Sequence, residues 1–244
     1  MTYIENPKTK NSVIICAIPN KGPCSNGCSD CFYNGGRSYL SPIDKNTPNM
    51  PSLEEVGNKI VRVNDGQDSN NNFELVMKET EKYPKRFYNT AVPKNIKEFG
   101  EPVVLTINPG KMTENSIYAI PWYKNLMFVR FRASTTNLSL AKEAVSYYTN
   151  KNVPVVITFM AYFQDTPPDK EHYSFHKRIL NEYWCITKEG EDAFMSNFKG
   201  NELVKVCGSQ GNHCKDCHNC ETYYYETKKR INLNYDKIHG VGCL

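Results

Sequence analysis

The sequence predicts an α/β fold in which strands and helices alternate, followed by a C-terminal metal-binding extension. Short β-branched runs recur through residues 1–206 and helical stretches separate them. Most of the 10 cysteines fall in two loops, one after the first run and one after the last. Strand, helix and strand in succession imply parallel βαβ units. A chain of 244 residues can bury one good core, with or without an appendage. The domain reading is a body at 1–206, with 37–101 as an insertion or cap, and a cysteine-rich extension at 207–244.

The elements follow in order. Residues 12–19 form the first strand, with Val13, Ile14, Ile15, Ala17 and Ile18. Residues 52–63 read as a helix opened by the capping-box pattern Ser52-Leu53-Glu54-Glu55. Residues 65–72 have loop composition, and 73–83 read as another helix. The second, third and fourth strands lie at 102–108, 126–134 and 153–162; a shorter fifth lies at 183–187 and a sixth at 203–207. Helices are expected at 139–149, stopped by Asn150-Lys151-Asn152, and at 172–183 and 188–198.

Period-2 alternation sorts the faces. Val103, Leu105 and Ile107 should meet helices, leaving Val104, Thr106 and Asn108 on the inner side. Met127, Val129, Phe131 and Ala133 form the next helix-facing set, opposite Phe128, Arg130, Arg132 and Ser134. In the fourth strand either Thr158, Met160 and Tyr162 or their alternates could face inward. Two arginines on the inner side of a buried strand need anionic partners, from a ligand or from the fold itself.

A formal charge of +4 is too small to demand a polyanionic partner. The N-terminus is polar and lacks the apolar core of a signal peptide, and no run reaches the ~18 apolar residues of a membrane span. A cytoplasmic location is therefore expected. In that reducing compartment clustered cysteines are metal ligands more often than disulfides.

Cys24, Cys28 and Cys31 stand in the run Cys24-Ser25-Asn26-Gly27-Cys28-Ser29-Asp30-Cys31-Phe32. Three thiolates from one loop can hold three irons of a 4Fe–4S cube and leave the fourth without a protein ligand. A zinc knuckle or disulfides are the competing readings; zinc prefers four closed ligands and paired C-x2-C units. The C-x3-C-x2-C spacing followed by an aromatic resembles the radical S-adenosylmethionine (SAM) superfamily. The resemblance implies an open partial (β/α)6 barrel and a 4Fe–4S cluster whose open iron chelates SAM. It also implies an external electron donor such as flavodoxin or ferredoxin, and a place for Phe32 near the adenine. Members carry a glycine-rich Gly-Gly-Glu-like stretch for the SAM amino group, which this chain lacks. Asn108-Pro109-Gly110, with Thr106 behind it, is the substitute; the alternative is an ordinary Pro-Gly turn. Arg130 and Arg132 could meet the SAM carboxylate or a substrate carboxylate or phosphate, and Ser134 could reach polar atoms of SAM. An adenine motif of the Gly-x-Ile-x-Gly kind is missing.

A second set, Cys207, Cys214, Cys217 and Cys220, has the spacing C-x6-C-x2-C-x2-C. Four soft ligands suit a second 4Fe–4S cluster, here an auxiliary one, or a tetrahedral zinc. His213 and His218 could replace a cysteine or be solvated loop residues. Residues 221–230 read as a helix whose tyrosines dock on the body, the alternative being stacking on nucleobases. Cys16 and Cys185 read as core thiols, and His172 with His176 as one helix face rather than a metal pair. Two functions compete: a radical SAM enzyme acting on an unidentified substrate, and a zinc-stapled module that binds nucleic acid or protein without catalysis.

Overall fold

The structure, a computed structural model, describes residues 2–28, 31, 39–41, 43–108, 117, 122–163, 166–177, 182–207 and 213–239. Among these residues seven strands form one parallel sheet: β1 (Ile14–Ala17), β2 (Ile60–Val63), β3 (Arg86–Thr90), β4 (Val103–Ile107), β5 (Leu126–Ala133), β6 (Val155–Phe159) and β9 (Val204–Val206). They lie side by side in chain order and the sheet curls into a half-barrel. Strands β7 (Tyr173–Lys177) and β8 (Glu182–Ile186) form a separate antiparallel hairpin between β6 and β9.

Helices α1 (Ile43–Asn46), α2 (Leu53–Val56), α3 (Phe73–Thr80), α4 (Leu138–Thr149) and α5 (Lys188–Ser196) lie between the strands. The one-turn α6 (Cys214–Cys217) and the long α7 (Asn219–His239) end the described chain. Val76 of α3, Ala141, Ala144, Val145 and Tyr148 of α4, and Phe194 of α5 pack with Ile15, Val61, Leu105, Val129 and Ile157. This is the outer, helix-covered face. The opposite face carries Ile14, Ile60, Phe87, Val104, Phe128 and Val156, on which Tyr223 and Tyr224 of α7 are buried. The C-terminal helix thus fills the inner face at the N-terminal halves of the strands. Arg230 fastens it, donating to the carbonyls of Lys124 (2.7 Å) and Leu126 (2.6 Å), and Lys228 reaches Glu101 at 2.9 Å. The 221–230 tyrosines therefore dock on the body, with Tyr225 alone of the three exposed.

Several expectations are corrected. The segment 37–101 supplies β2, α3 and β3, which lie inside the sheet between β1 and the strand expected second; it is structural body. The helix expected over 52–63 has its capping box but stops after one turn. Gly57 takes φ 50°, ψ −119°, and the β-branched Ile60-Val61-Arg62-Val63 then pairs with β1 and β3. Residues 172–183 form the β7–β8 hairpin, where cross-strand pairs such as Phe175–Trp184 and His176–Tyr183 outweigh helical spacing. His172 and His176 are therefore not a helix-face pair, and the strand expected at 183–187 lies in the hairpin, outside the main sheet. Met127 faces inward with Phe128, because a register irregularity opposite Val103 and Val104 places an extra β5 residue there. The other alternations hold: Val104 and Phe128 face inward, while Leu105, Val129 and Phe131 face the helices.

Candidate functional site

Strand β1 ends at Ala17, and its continuation leads directly to Cys24, Cys28 and Cys31 at the C-terminal rim of the sheet. All three thiols are partly exposed. They are close enough to act on one another: burial first, then Asp68, Cys28 and Cys31, push the Cys24 thiol up, with the Asn26 backbone pulling it down. Cys31 also packs on Ile18 and Leu40. Phe32 lies outside the described residues.

The loop is held from below by the β2–α3 connection. Asp68, 2% exposed, accepts from Asn26 Nδ2 (2.8 Å), the Asn70 amide (2.8 Å), Thr90 Oγ1 (2.8 Å) and the Ala91 amide (2.7 Å). One carboxylate so joins the cysteine loop to the end of β3. Ser25 Oγ bonds Asn71 Oδ1 at 3.1 Å, Asn20 Nδ2 donates to the Asn71 carbonyl at 2.6 Å, and Gln67 Nε2 donates to the Gly22 carbonyl. With their amide nitrogens spent, the side-chain oxygens of Asn20 and Gln67, and that of Asn64, are buried without a hydrogen-bond partner. Asn20 and Gln67 tie the approach to the cysteine loop to residues 67–71, while Asn64 holds Ser69 of the same connection.

The inner residues predicted on β4 and β5 divide. Thr106 pairs in register with Arg130, and Arg132 with Thr158, whose buried hydroxyl also lacks a partner. Asn108 is buried just past β4; Gly110 lies outside the described residues. Ser134 is buried, and its hydroxyl bonds Thr136 Oγ1 at 2.9 Å within the turn after β5. Arg130 donates to Asn89 Oδ1 (3.2 Å), and its charge acts on Cys207 and Cys220. Asn89 Oδ1 is thus the hydrogen-bond partner that the fold itself supplies to Arg130.

In that set, Cys207 follows β9 and its amide donates to the Ile157 carbonyl at 2.8 Å. The neighbouring Cys217 thiol, with Arg130, Arg62 and Lys8, pulls the Cys207 thiol down against burial. Cys217 is pushed up by its neighbour Cys207 and by burial, and burial pushes Cys220 up to about 12. Arg62 of β2, also buried, meets Asp65 at 3.1 Å and Cys16 Sγ at 3.2 Å, and faces Cys214 and Cys220. Its Nε has no acceptor. His218 is exposed beside Glu221 (3.1 Å).

Among the described residues, the set whose three donors all lie within 4.8 Å of one another is Asp169, Glu171 and His172 at the hairpin, of which Glu171 is exposed and the half-buried Asp169 and His172 are already closed by a 2.6 Å contact. Neither cysteine set is drawn that tight. Sulfurs at ~2.3 Å from one tetrahedral zinc stand about 3.8 Å apart. Sulfurs on separate irons of a cube stand further apart. Cys24, Cys28 and Cys31 are three partly exposed thiols on one loop, anchored through Asp68 at the rim of the sheet. Comparison with family models, curated proteins and solved structures finds no match for this chain.

Spacing singled out the cysteines. It missed Asn20, Asn64, Gln67, Asp68 and Arg62. Residues 65–72 carried the one available signal: many short polar side chains in a row after what proves to be a strand, where α/β sites gather.

Proposed function

We propose that the chain is a radical SAM enzyme in which Cys24, Cys28 and Cys31 hold a 4Fe–4S cluster. The observation that carries this reading is the place of the three-thiol loop, on the C-terminal rim of β1 in a curled parallel sheet. When bound, such a cluster supplies the electron that cleaves SAM to methionine and a 5′-deoxyadenosyl radical. The chain's own residues position and enclose. Asp68 fixes the loop through Asn26. Asn20 and Gln67 brace the approach to the loop through the Asn71 and Gly22 carbonyls. Thr106, Asn108 and Arg132 lie on the inner side of the sheet, where Arg132 suits a carboxylate of SAM or of the substrate. Helix α7 seals the other end of the inner face with Tyr223 and Tyr224, which keeps water from one side of the reaction space. A one-electron donor of the flavodoxin or ferredoxin kind completes the scheme.

The test is anaerobic reconstitution with iron and sulfide, then SAM and a strong reductant. Formation of 5′-deoxyadenosine supports the reading, and its loss in Cys28→Ala ties it to the loop. Zinc alone in purified and reconstituted protein, without 5′-deoxyadenosine, would favour the binding module instead.

A further inference from the structure

The half-barrel has two edges, β1 and β9, and Cys207 with the described residues 213–220 touches both. At the β9 edge Cys207 continues the strand, and Asn219 Nδ2 donates to the Val206 carbonyl at 3.1 Å. At the β1 edge the Cys214 amide donates to the Lys8 carbonyl at 3.0 Å, in the turn before the strand. The charge neighbours of Cys214 include Cys16 of β1 and Arg62 of β2, while Cys220 lies beside Arg62 and Arg130. Local structure prepares the ligands. One helical turn puts Cys214 and Cys217 on the same side, and His218, at φ 52°, reverses the chain so that Cys220 packs inward on α7.

Arg62 and Arg130 are thus charge neighbours of Cys207 and Cys220, and Arg62 also of Cys214, with Asp65 the carboxylate paired to Arg62. Buried cations need anions. Four thiolates around a divalent ion, or around an oxidised 4Fe–4S core, carry a net charge of about −2, which balances Arg62, Arg130 and Lys8 once Asp65 is counted with them. The partnerless, buried Arg62 Nε, on the side chain that faces these thiols, is an independent sign that an acceptor belongs there. We propose that Cys207, Cys214, Cys217 and Cys220 hold a thiolate-bound metal centre that clasps the open side of the half-barrel, with Arg62 and Arg130 as its cationic neighbours. The centre links β9 to β1 where no strand pairing does so among the described residues, and it protects both sheet edges. Metal binding at the clasp is coupled to folding of the edges. Arg62 is a positioning residue: it touches no metal and acts through the thiolates.

The inference is independent of the SAM reading, and the test separates them. A variant with Cys24, Cys28 and Cys31 all replaced by Ala leaves only the C-terminal set. Purified anaerobically, it should retain one metal centre per chain while forming no 5′-deoxyadenosine. Metal and sulfide analysis tells a cluster from zinc, and either supports the clasp. Chelation should then accelerate amide hydrogen exchange at both residues 6–17 and residues 203–207. Arg62→Met should weaken metal retention against a chelator by about tenfold, as loss of an outer-shell partner does. If the triple variant does not fold, the same exchange measurement on metal-loaded and chelated wild-type protein, read at these two edges, replaces it. Absence of metal at the C-terminal set, its four thiols found in disulfides, or metal removal that leaves both edges unchanged would overturn the proposal.

Discussion

Asp68 engages both carboxylate oxygens, toward Asn26 and Ala91 on one and Asn70 and Thr90 on the other. Replacing it with Asn puts an amide N–H₂ against a backbone N–H or a hydroxyl that needs an acceptor. Hydrogen bonds to a buried carboxylate are worth ~1.5–3 kcal/mol each. Asp68→Asn should therefore cost about 2–4 kcal/mol in urea unfolding and lower the iron held by the first loop. Unchanged stability and iron content would show that the loop is anchored elsewhere. Cys24, Cys28 and Cys31 were legible because ligand spacing is local in sequence. Asp68 and Arg62 were not, because their partners lie far along the chain, on β3 and in the C-terminal segment. A carboxylate in a polar run and an arginine in a short strand look like surface until those partners are known.

Helix α5 meets the β7–β8 hairpin at Gly190. A Cβ there would come within 2.9 Å of His172 Cβ and 3.1 Å of the His172 carbonyl oxygen. Backbone cannot yield as a flexible side chain can, so Gly190→Ala should destabilise the protein by about 1–3 kcal/mol and loosen the hairpin in hydrogen exchange. Its neighbour Glu191 is buried, and burial pushes its carboxyl above the ordinary 4.5, against the pull of Lys188. The folded state then holds that proton more tightly than the unfolded chain. Its contribution is full below pH 4.5 and is lost as pH rises through the folded value. Glu191→Gln should remove this loss, so the variant gains on wild type as pH rises from 4 to 7 in urea midpoints. An identical pH profile would contradict it. At this scale the sequence reading found most strands and the helices at 139–149 and 188–198, where apolar spacing was regular. It failed at 52–63 and 172–183. In the first, a capping box runs into a β-branched strand with only Gly57-Asn58-Lys59 between; in the second, aromatic pairs across a hairpin decide, and such pairs have no period along the chain.

For the whole molecule, alternation of strands and helices carried the parallel α/β class, but the count and order of strands came from three-dimensional pairing. Strands β2 and β3 are four and five residues long, and in the sequence they disappear into a polar stretch. The seven strands lie side by side in chain order in a curled sheet, and the first cysteine loop follows β1. No helix among the described residues is long and apolar enough to cross a membrane. The most direct measurement is quantification of 5′-deoxyadenosine from SAM by the anaerobically reconstituted, reduced protein, beside the same protein carrying Cys28→Ala. The account predicts reductant-dependent product from wild type and at least a hundredfold less, on the order of background, from the variant. Equal product from both, or none from a wild-type protein that holds a full complement of iron and sulfide, would contradict it.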